Sequence, residues 1–117
     1  MASKANEGFP RQQRILRPAD YRAIYETGLR IQSKGFVLFV RKNELDHHRL
    51  GITVSRKVGG SVVRNRIKRW FREIYRRLAA DLPNHFDLVV NAKRGCGESR
   101  FLDLRDEFIS VTRRISR

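Results

Sequence analysis

The sequence predicts one compact α+β domain, in which helices pack on a small central sheet in the order α-β-β-α-β-α. Two observations predict this class. First, 117 residues fit a single domain, and the 40% of apolar residues can form its core without a metal or a disulfide. Second, the apolar residues follow helical spacing in three segments and form short strand-like runs in three others. No internal repeat and no linker divides the chain.

The amino-terminal part of the chain is expected to precede the folded domain. Residues 1–13 are polar and basic without periodicity, which predicts a flexible basic segment in front of a domain at residues 14–117. The first helix is expected to begin near Pro18, because proline suits the first turn of a helix. It is expected to end at Gly28, which can adopt the left-handed conformation that often closes a helix.

Two strands are predicted next. Residues 36–40 are all β-branched, aromatic or leucine, and residues 50–55 alternate apolar with small or polar side chains. The polar residues 43–48 between them predict a hairpin with a longer connection. Phe36 and Phe39 point to opposite faces of the first strand, and Phe36 is the one expected in the core.

A long amphipathic helix is predicted from residue 62 to about residue 80, with Ser61 as its N-cap. Its apolar stripe consists of Val63, Ile67, Trp70, Ile74 and Leu78. Residues 86–92 predict a third strand, and the glycines at 95 and 97 predict a loop in which Cys96 could be exposed. The last amphipathic helix is marked by Phe101, Leu104, Phe108, Val111 and Ile115.

The charge of the chain is its most unusual property. Lysine and arginine number 26 against 12 acids, for a net charge of +14, and 20 of the 26 cations are arginine. Such an excess indicates a polyanionic partner, most often nucleic acid. Arginine also matches phosphate oxygens with a planar fork of donors, so its predominance favours phosphate recognition over mere solubility.

Other classes of protein are disfavoured by the same composition. One cysteine allows neither an internal disulfide nor a zinc quartet, which predicts an intracellular protein. No apolar run reaches the roughly 18 residues of a membrane span, and the amino end lacks the apolar core of a secretory signal. The three histidines lack the spacing of a metal site and are expected at the surface. With carboxylates scattered and no phosphate-binding loop, no catalytic or metal-binding residue is assigned to the protein.

The basic residues are concentrated between residues 56 and 77, where Glu73 is the single acid. The nine cations of this block are Arg56, Lys57, Arg64, Arg66, Lys68, Arg69, Arg72, Arg76 and Arg77. On the helix, most of them form one arc opposite the apolar stripe, where like charges four residues apart repel one another. A phosphate backbone would offset this repulsion. The alternative is a merely solvated basic face, although such faces usually interleave acids with bases.

The same block resembles a known family. Residues 54–59 (VSRKVG) and 63–73 (VRNRIKRWFRE) closely resemble the signature of the bacterial ribonuclease P protein subunit, with its Arg-Asn-Arg core followed by a Lys-Arg pair. Residues 14–25 also resemble the first helix of that family, and residues 86–90 resemble its late strand. The resemblance therefore extends over nearly the whole chain.

The resemblance implies a noncatalytic partner of a catalytic RNA in the bacterial cytoplasm. That holoenzyme removes the 5′ leader of precursor tRNA by hydrolysis, and its Mg²⁺ ions serve the RNA-based active site, with no dedicated protein ligands. The expected RNA-binding residues are Arg56, Lys57, Arg64, Asn65, Arg66, Lys68, Arg69 and Arg72. The expected cleft for the precursor-tRNA leader is lined by Tyr21, Tyr25, Phe39, Lys93 and Arg94. Aromatic rings can stack on unpaired bases whatever their sequence, although Tyr21 and Tyr25 could instead pack on the core. Neither a membrane nor DNA is an expected partner.

The resemblance also implies a left-handed βαβ crossover, in the fold class of the second domain of a small-subunit ribosomal protein. Three other functions remain open. The main alternative is a structural, ribosomal-type RNA-binding protein, which would need no cleft for a variable single strand. A sequence-specific DNA-binding protein would need a partner helix before the basic helix, where a strand is predicted. A protein-only ribonuclease would need a cluster of carboxylates or histidines.

Overall fold

A computed structural model describes residues 10–82 and 84–115, in which three helices surround a four-stranded sheet. The helices are α1 (Pro18–Thr27), α2 (Ser61–Leu78) and α3 (Phe101–Ile115). The strands are β1 (Leu29–Gln32), β2 (Phe36–Lys42), β3 (Arg49–Thr53) and β4 (Phe86–Ala92). Short 3₁₀ turns occupy Arg11–Gln13, Ala79–Asp81 and Arg94–Glu98. Of the predicted flexible segment, residues 1–9 lie outside the described residues.

The strands lie in the order β1-β2-β4-β3, and this order corrects two details of the prediction. Strand β1 was not predicted, so the described residues form four strands in the order α-β-β-β-α-β-α. The predicted hairpin of residues 36–40 with 50–55 is also wrong. Strand β2 pairs with β1 on one side and with β4 on the other, both antiparallel. Strand β4 therefore lies between the two strands that were expected to pair.

Strands β3 and β4 run parallel, with Leu50 opposite Leu88 and Thr53 opposite Asn91. Parallel neighbours need a crossover connection, and α2 supplies it. The left hand of this crossover stays a prediction from the family resemblance.

Each face of the sheet packs against different helices. On one face, Phe36 is fully buried and its ring lies 5.2 Å from that of Phe71 in α2 and 6.1 Å from that of Phe108 in α3. On the other face, Ile24 of α1 packs with Val89 of β4. The prediction that Phe36 belongs to the core is confirmed. The face under α1 carries the candidate site.

Helix α2 begins one residue earlier than predicted and turns a slightly different face inward. Gly60, not Ser61, is its N-cap, and no side chain caps it. The fully buried residues of the helix are Ile67, Phe71, Ile74 and Tyr75. The predicted stripe residues Val63, Trp70 and Leu78 are only partly buried. The buried face is shifted toward Phe71 and Tyr75 relative to the predicted stripe, and Trp70 lies at its margin, where it packs against Phe101 of α3.

Helix α1 ends at Gly28 as predicted, but for a different reason. The φ angle of Gly28 is −80°, so this glycine is extended, not left-handed. A Cβ at this position would lie 2.5 Å from the carbonyl oxygen of Ile24 and 2.9 Å from that of Val40. Glycine is required here because two backbone segments pass too close for a side chain.

Two smaller expectations are also corrected. Cys96 is fully buried, and burial, followed by the nearby charge of Glu107, raises the pKa of its thiol to about 11. His48 is only partly exposed, because its Nδ1 accepts a 3.0 Å hydrogen bond from the backbone N–H of Phe86 and its ring stacks on the Phe86 ring. Both residues are parts of the packed structure. No helix within the described residues has the length and apolar character to span a membrane.

Candidate nucleic-acid interface

The parallel pairing of β3 and β4 brings separate cationic segments to one edge of the sheet. Since parallel strands end at the same edge, the segments that follow β3 and β4 emerge side by side. Arg56 and Lys57 are exposed in the turn after β3, and Lys93 and Arg94 follow β4 directly. Helix α2 starts from this same edge. The topology thus collects cations that are far apart in the sequence.

A close backbone contact fixes the two turns relative to each other. A Cβ on Gly97, in the turn after β4, would lie 2.6 Å from the carbonyl oxygen of Val58 in the loop after β3. It would also lie 3.3 Å from a methyl group of Val63 in α2. Only glycine permits this approach. The cationic turns and the start of α2 are therefore packed as one unit.

The outward face of α2 is a cationic ridge. Its exposed cations follow helical spacing and are Arg69, Arg72 and Arg76, and the neutral Asn65 extends the same exposed row toward the start of the helix. At the end of the helix, Glu73 accepts 2.7 Å hydrogen bonds from Arg76 and Arg77, and these bonds lower the pKa of its carboxyl group. The predicted repulsion is thus partly relieved in the last turn, while Arg69 in the middle of the ridge has no acid beside it among the described ion pairs.

Three predicted RNA-binding residues flank this ridge and are only partly exposed. The Nε of Arg64 donates a 3.2 Å hydrogen bond to the carbonyl oxygen of Gly59. Arg66 donates from Nη2 to the carbonyl oxygen of Gly97 at 3.0 Å. Lys68 lies on the opposite flank, where it lines a shallow groove that reaches Tyr21 of α1. The arc of cations is therefore narrower than the sequence pattern suggested.

An aromatic cluster lies on the sheet face under α1. The rings of Tyr25 and Phe39 meet edge to face with centroids 4.8 Å apart, and the ring of Tyr21 lies 6.3 Å from that of Tyr25. The Tyr25 hydroxyl donates a 3.0 Å hydrogen bond to Oδ1 of Asn91, and the side chain stays 38% exposed. Tyr21 is more enclosed, and burial, with the nearby Tyr25, raises the pKa of its hydroxyl. Tyr25 thus offers accessible ring surface in a rigid setting.

The chain is similar to known proteins over most of its length. A family model described as Ribonuclease P matches residues 9–116. The chain is 38% identical over 113 residues to the ribonuclease P protein component of Thermotoga maritima, covering 93% of this chain and 97% of that protein. It is 40% identical over 113 residues to the same component of Desulfovibrio desulfuricans, covering 93% and 87%. The chain belongs to the ribonuclease P protein family.

Solved structures of ribonuclease P proteins share its fold. The Thermotoga maritima protein superposes with a TM-score of 0.78 at 36% identity, covering 86% of this chain and 96% of that one. The Staphylococcus aureus protein gives a TM-score of 0.78 at 33% identity, with 86% and 93% covered. The predicted family and the predicted α+β class are therefore confirmed.

In this member of the family, the two cations after β4 have different surroundings. The ammonium group of Lys93 donates a 2.5 Å hydrogen bond to the carbonyl oxygen of Ser33 in the turn between β1 and β2. Arg94 is exposed. Lys93 therefore ties the end of β4 to a neighbouring turn, whereas the guanidinium of Arg94 is open to a ligand.

Sequence reasoning missed several residues that shape this edge. Glu107 of α3 accepts hydrogen bonds from the hydroxyl of Ser33 at 2.5 Å and the N–H of Gly35 at 2.8 Å, which fixes the turn that holds Lys93. Asn91 accepts the hydrogen bond that orients Tyr25. The sequence indicates this role only by placing a polar residue near the end of an apolar strand. Within the described residues, no three histidine, cysteine or carboxylate side chains are grouped as a metal site requires.

Proposed function

We propose that the protein is the noncatalytic subunit of a bacterial ribonuclease P that acts in the cytoplasm. It binds the catalytic RNA and the 5′ leader of precursor tRNA, and so aids endonucleolytic removal of the leader. One observation carries the proposal: the exposed ring of Tyr25, bonded to Asn91 near the end of β4, and the cationic face of α2, which starts after β3, lie at the same edge of the sheet. A protein that only stabilised a folded RNA would need the cations but not the exposed aromatic cluster.

The catalytic RNA is assigned to the cationic ridge of α2 and to the turn with Arg56 and Lys57. The N–H groups at the start of α2 add a favourable place for a phosphate beside these cations. Each neutralised phosphate releases counterions and so favours binding, most strongly at low salt. Cations at the junction of two polyanions also lower the amount of Mg²⁺ that the RNA needs.

The leader is assigned to the cleft formed by Tyr25, Phe39 and Tyr21. An aromatic face can stack on any base for about 1–3 kcal/mol, without hydrogen bonds that would select one sequence. This tolerance suits a cleft that meets many different leaders. Arg94 is suitably exposed to meet the leader phosphates.

The test is cleavage of precursor tRNA by a bacterial ribonuclease P RNA at low magnesium, with and without the protein. The substrates carry leaders of about one and about eight nucleotides, the longer one reaching further along the cleft. We expect stimulation that grows with leader length. Tight RNA binding without stimulation would instead support a structural RNA-binding protein. Cleavage without added RNA would contradict the noncatalytic role.

A pair of tyrosine variants tests the cleft separately from assembly with the RNA. Tyr25→Ala removes the ring and should lower the preference for precursor over mature tRNA by about tenfold, from the loss of one stacked base. Tyr25→Phe keeps the ring and loses only the hydroxyl, so it should retain most of that preference. Both variants should bind the catalytic RNA as tightly as the original protein. If Tyr25→Ala and Tyr25→Phe showed the same preference for precursor over mature tRNA, the ring of Tyr25 would not be part of the leader site.

A further inference from the structure

Arg66 lies in the basic block, but its guanidinium is directed toward the protein. Its Nη2 donates to the carbonyl oxygen of Gly97, and the centre of its guanidinium lies 5.2 Å from the centroid of the Trp70 ring. Its Nε is buried and has no hydrogen-bond partner within the described structure. Trp70 in turn packs edge to face on Phe101, with ring centroids 5.9 Å apart. Arg69, three residues further along α2, is exposed instead.

The carbonyl oxygen that Arg66 binds belongs to the Arg94–Glu98 turn. That turn lies directly against the loop before α2, since a Cβ on Gly97 would meet the carbonyl oxygen of Val58 at 2.6 Å. Arg66 therefore bridges α2 and the turn, next to the place where the turn packs against the loop before α2. Rotating its guanidinium outward would uncover Trp70 and remove the donor from the Gly97 carbonyl.

We propose that Arg66 is a positioning residue that holds the Arg94–Glu98 turn against the start of α2, and that it makes no phosphate contact. Through this turn it sets where the guanidinium of Arg94 meets the leader. The inference rests on the proposed function, because that function assigns the leader phosphates to Arg94. It separates Arg66 from its neighbours in the basic block, which are assigned to RNA.

The first experiment compares matched variants in the salt dependence of binding to a bacterial ribonuclease P RNA. Arg69→Met removes an exposed cation, so the slope of log K against log salt should decrease in magnitude by about 0.7 to 0.9, the value of one phosphate contact. Arg66→Met makes the same chemical change at the bridge and should leave the slope unchanged. Arg66→Gln removes the charge but keeps an N–H donor for Gly97, and it should also leave the slope unchanged. A smaller slope in Arg66→Gln would overturn the proposal.

The second experiment uses the fluorescence of Trp70, the single tryptophan of the chain. In the protein without RNA, Arg66→Met should shift the emission of Trp70, whereas Arg69→Met should not. When the catalytic RNA is added to the original protein, the emission of Trp70 should not shift to that of the Arg66→Met variant, because the guanidinium of Arg66 stays on the ring. Emission that changes on RNA addition to match that of Arg66→Met would show that the guanidinium leaves Trp70, and would overturn the proposal.

The third experiment measures the KM for precursor tRNA with long and short leaders. Arg66→Met should raise the KM for the long leader by about fivefold, the effect of one lost hydrogen bond, with kcat unchanged. Arg66→Gln should keep the KM for the long leader near that of the original protein. In a protein that already carries Arg94→Ala, Arg66→Met should raise this KM no further. Additive effects of the Arg66 and Arg94 variants would contradict positioning through the turn.

Failure of this inference is distinguishable from failure of the proposed function. If Arg69→Met also keeps the full salt slope and the protein does not stimulate cleavage, the proposed RNA interface is wrong, while the fluorescence of the free protein still tests the bridge. If Arg66→Met does not fold, as judged by circular dichroism, Arg66→Gln decides the question alone through its salt slope.

Discussion

At the scale of single residues, Asp87 is a buried charged group that needs hydrogen-bond partners to be stable in the core. Its side chain is fully buried, and both of its oxygens accept hydrogen bonds from Arg49, at 2.8 and 2.7 Å. Asn43 donates a third bond at 2.8 Å. Burial alone would raise the pKa of Asp87, but these bonds, with the charges of Arg49 and Arg41, hold it below its ordinary value. Asp87 thus joins β4 to β3 and to the loop between β2 and β3.

Asp87→Asn should therefore be strongly destabilising. The variant removes the charge that both oxygens of Asp87 present to Arg49 and leaves that guanidinium, among the described ion pairs, only the longer, 3.4 Å contact with Asp20. The cost should be about 3 kcal/mol, the lower end of the range for breaking a buried pair. Urea unfolding at neutral pH measures this loss. The control is Glu73→Gln, which breaks ion pairs at the surface and should cost less than about 1 kcal/mol. Equal losses in the two variants would show that the buried pair contributes no more than the exposed one.

His48 predicts a dependence of stability on pH. Burial, followed by the charge of His85, lowers the pKa of His48 in the folded protein below the ordinary value of 6.5. Below about pH 7 the unfolded chain therefore binds more protons than the folded one, so the free energy of unfolding should fall as the pH drops to about 5.5. Protonation also removes the acceptor for the N–H of Phe86. Urea unfolding at these two pH values should show a smaller difference for His48→Asn; an equal difference would exclude His48 as the cause.

At the scale of elements, local patterns predicted the helices better than the strand pairing. Residues 101–115 form a helix where the apolar spacing placed one, and residues 86–92 form a strand. Leu29–Gln32 was missed because four residues with one buried side chain show no clear alternation. The wrong hairpin has a different cause, because two strands joined by a six-residue loop look locally like partners. In the structure β4 pairs with β2 and with β3, and the sequence around β2 and β3 carries no sign of this pairing with a strand further along the chain.

The junction of α1 and β1 predicts an element-scale effect of one methyl group. Gly28→Ala places a Cβ against two backbone carbonyl oxygens that cannot move without shifting α1 or β2. The cost should be about 1–3 kcal/mol, as for other overpacked sites, and it should appear in the free energy of unfolding by urea. Gly95→Ala is the matched control, because a Cβ there meets nothing within 4 Å. A neutral Gly28→Ala would mean that the helix end can shift freely.

At the scale of the whole molecule, the candidate site could be predicted in composition but not in geometry. The charge and the Arg-Asn-Arg block predicted which segment faces a polyanion, because a cluster of cations can be identified from the sequence without knowledge of any tertiary contact. The different setting of Arg66 could not be predicted, since its bond to Gly97 joins residues 31 positions apart. The contact of the Arg94–Glu98 turn with α2 likewise follows from the parallel pairing of β3 and β4. Long-range pairing therefore limits what the sequence predicts about the site.

The net charge of +14 predicts that salt acts in opposite directions on folding and on binding. Self-repulsion destabilises a compact chain of such charge, and dissolved ions screen it. Raising NaCl from about 50 to about 500 mM should therefore raise the Tm of the free protein. The same change should weaken its binding to RNA, because the release of counterions is less favourable at higher salt. The Arg69→Gln/Arg72→Gln variant lowers the charge to +12 (14 − 2) and should show a smaller rise in Tm. A Tm that falls with NaCl would mean that the ion pairs of Asp87 and Glu73 outweigh the repulsion among the cations, and that the basic face needs no polyanion to offset it.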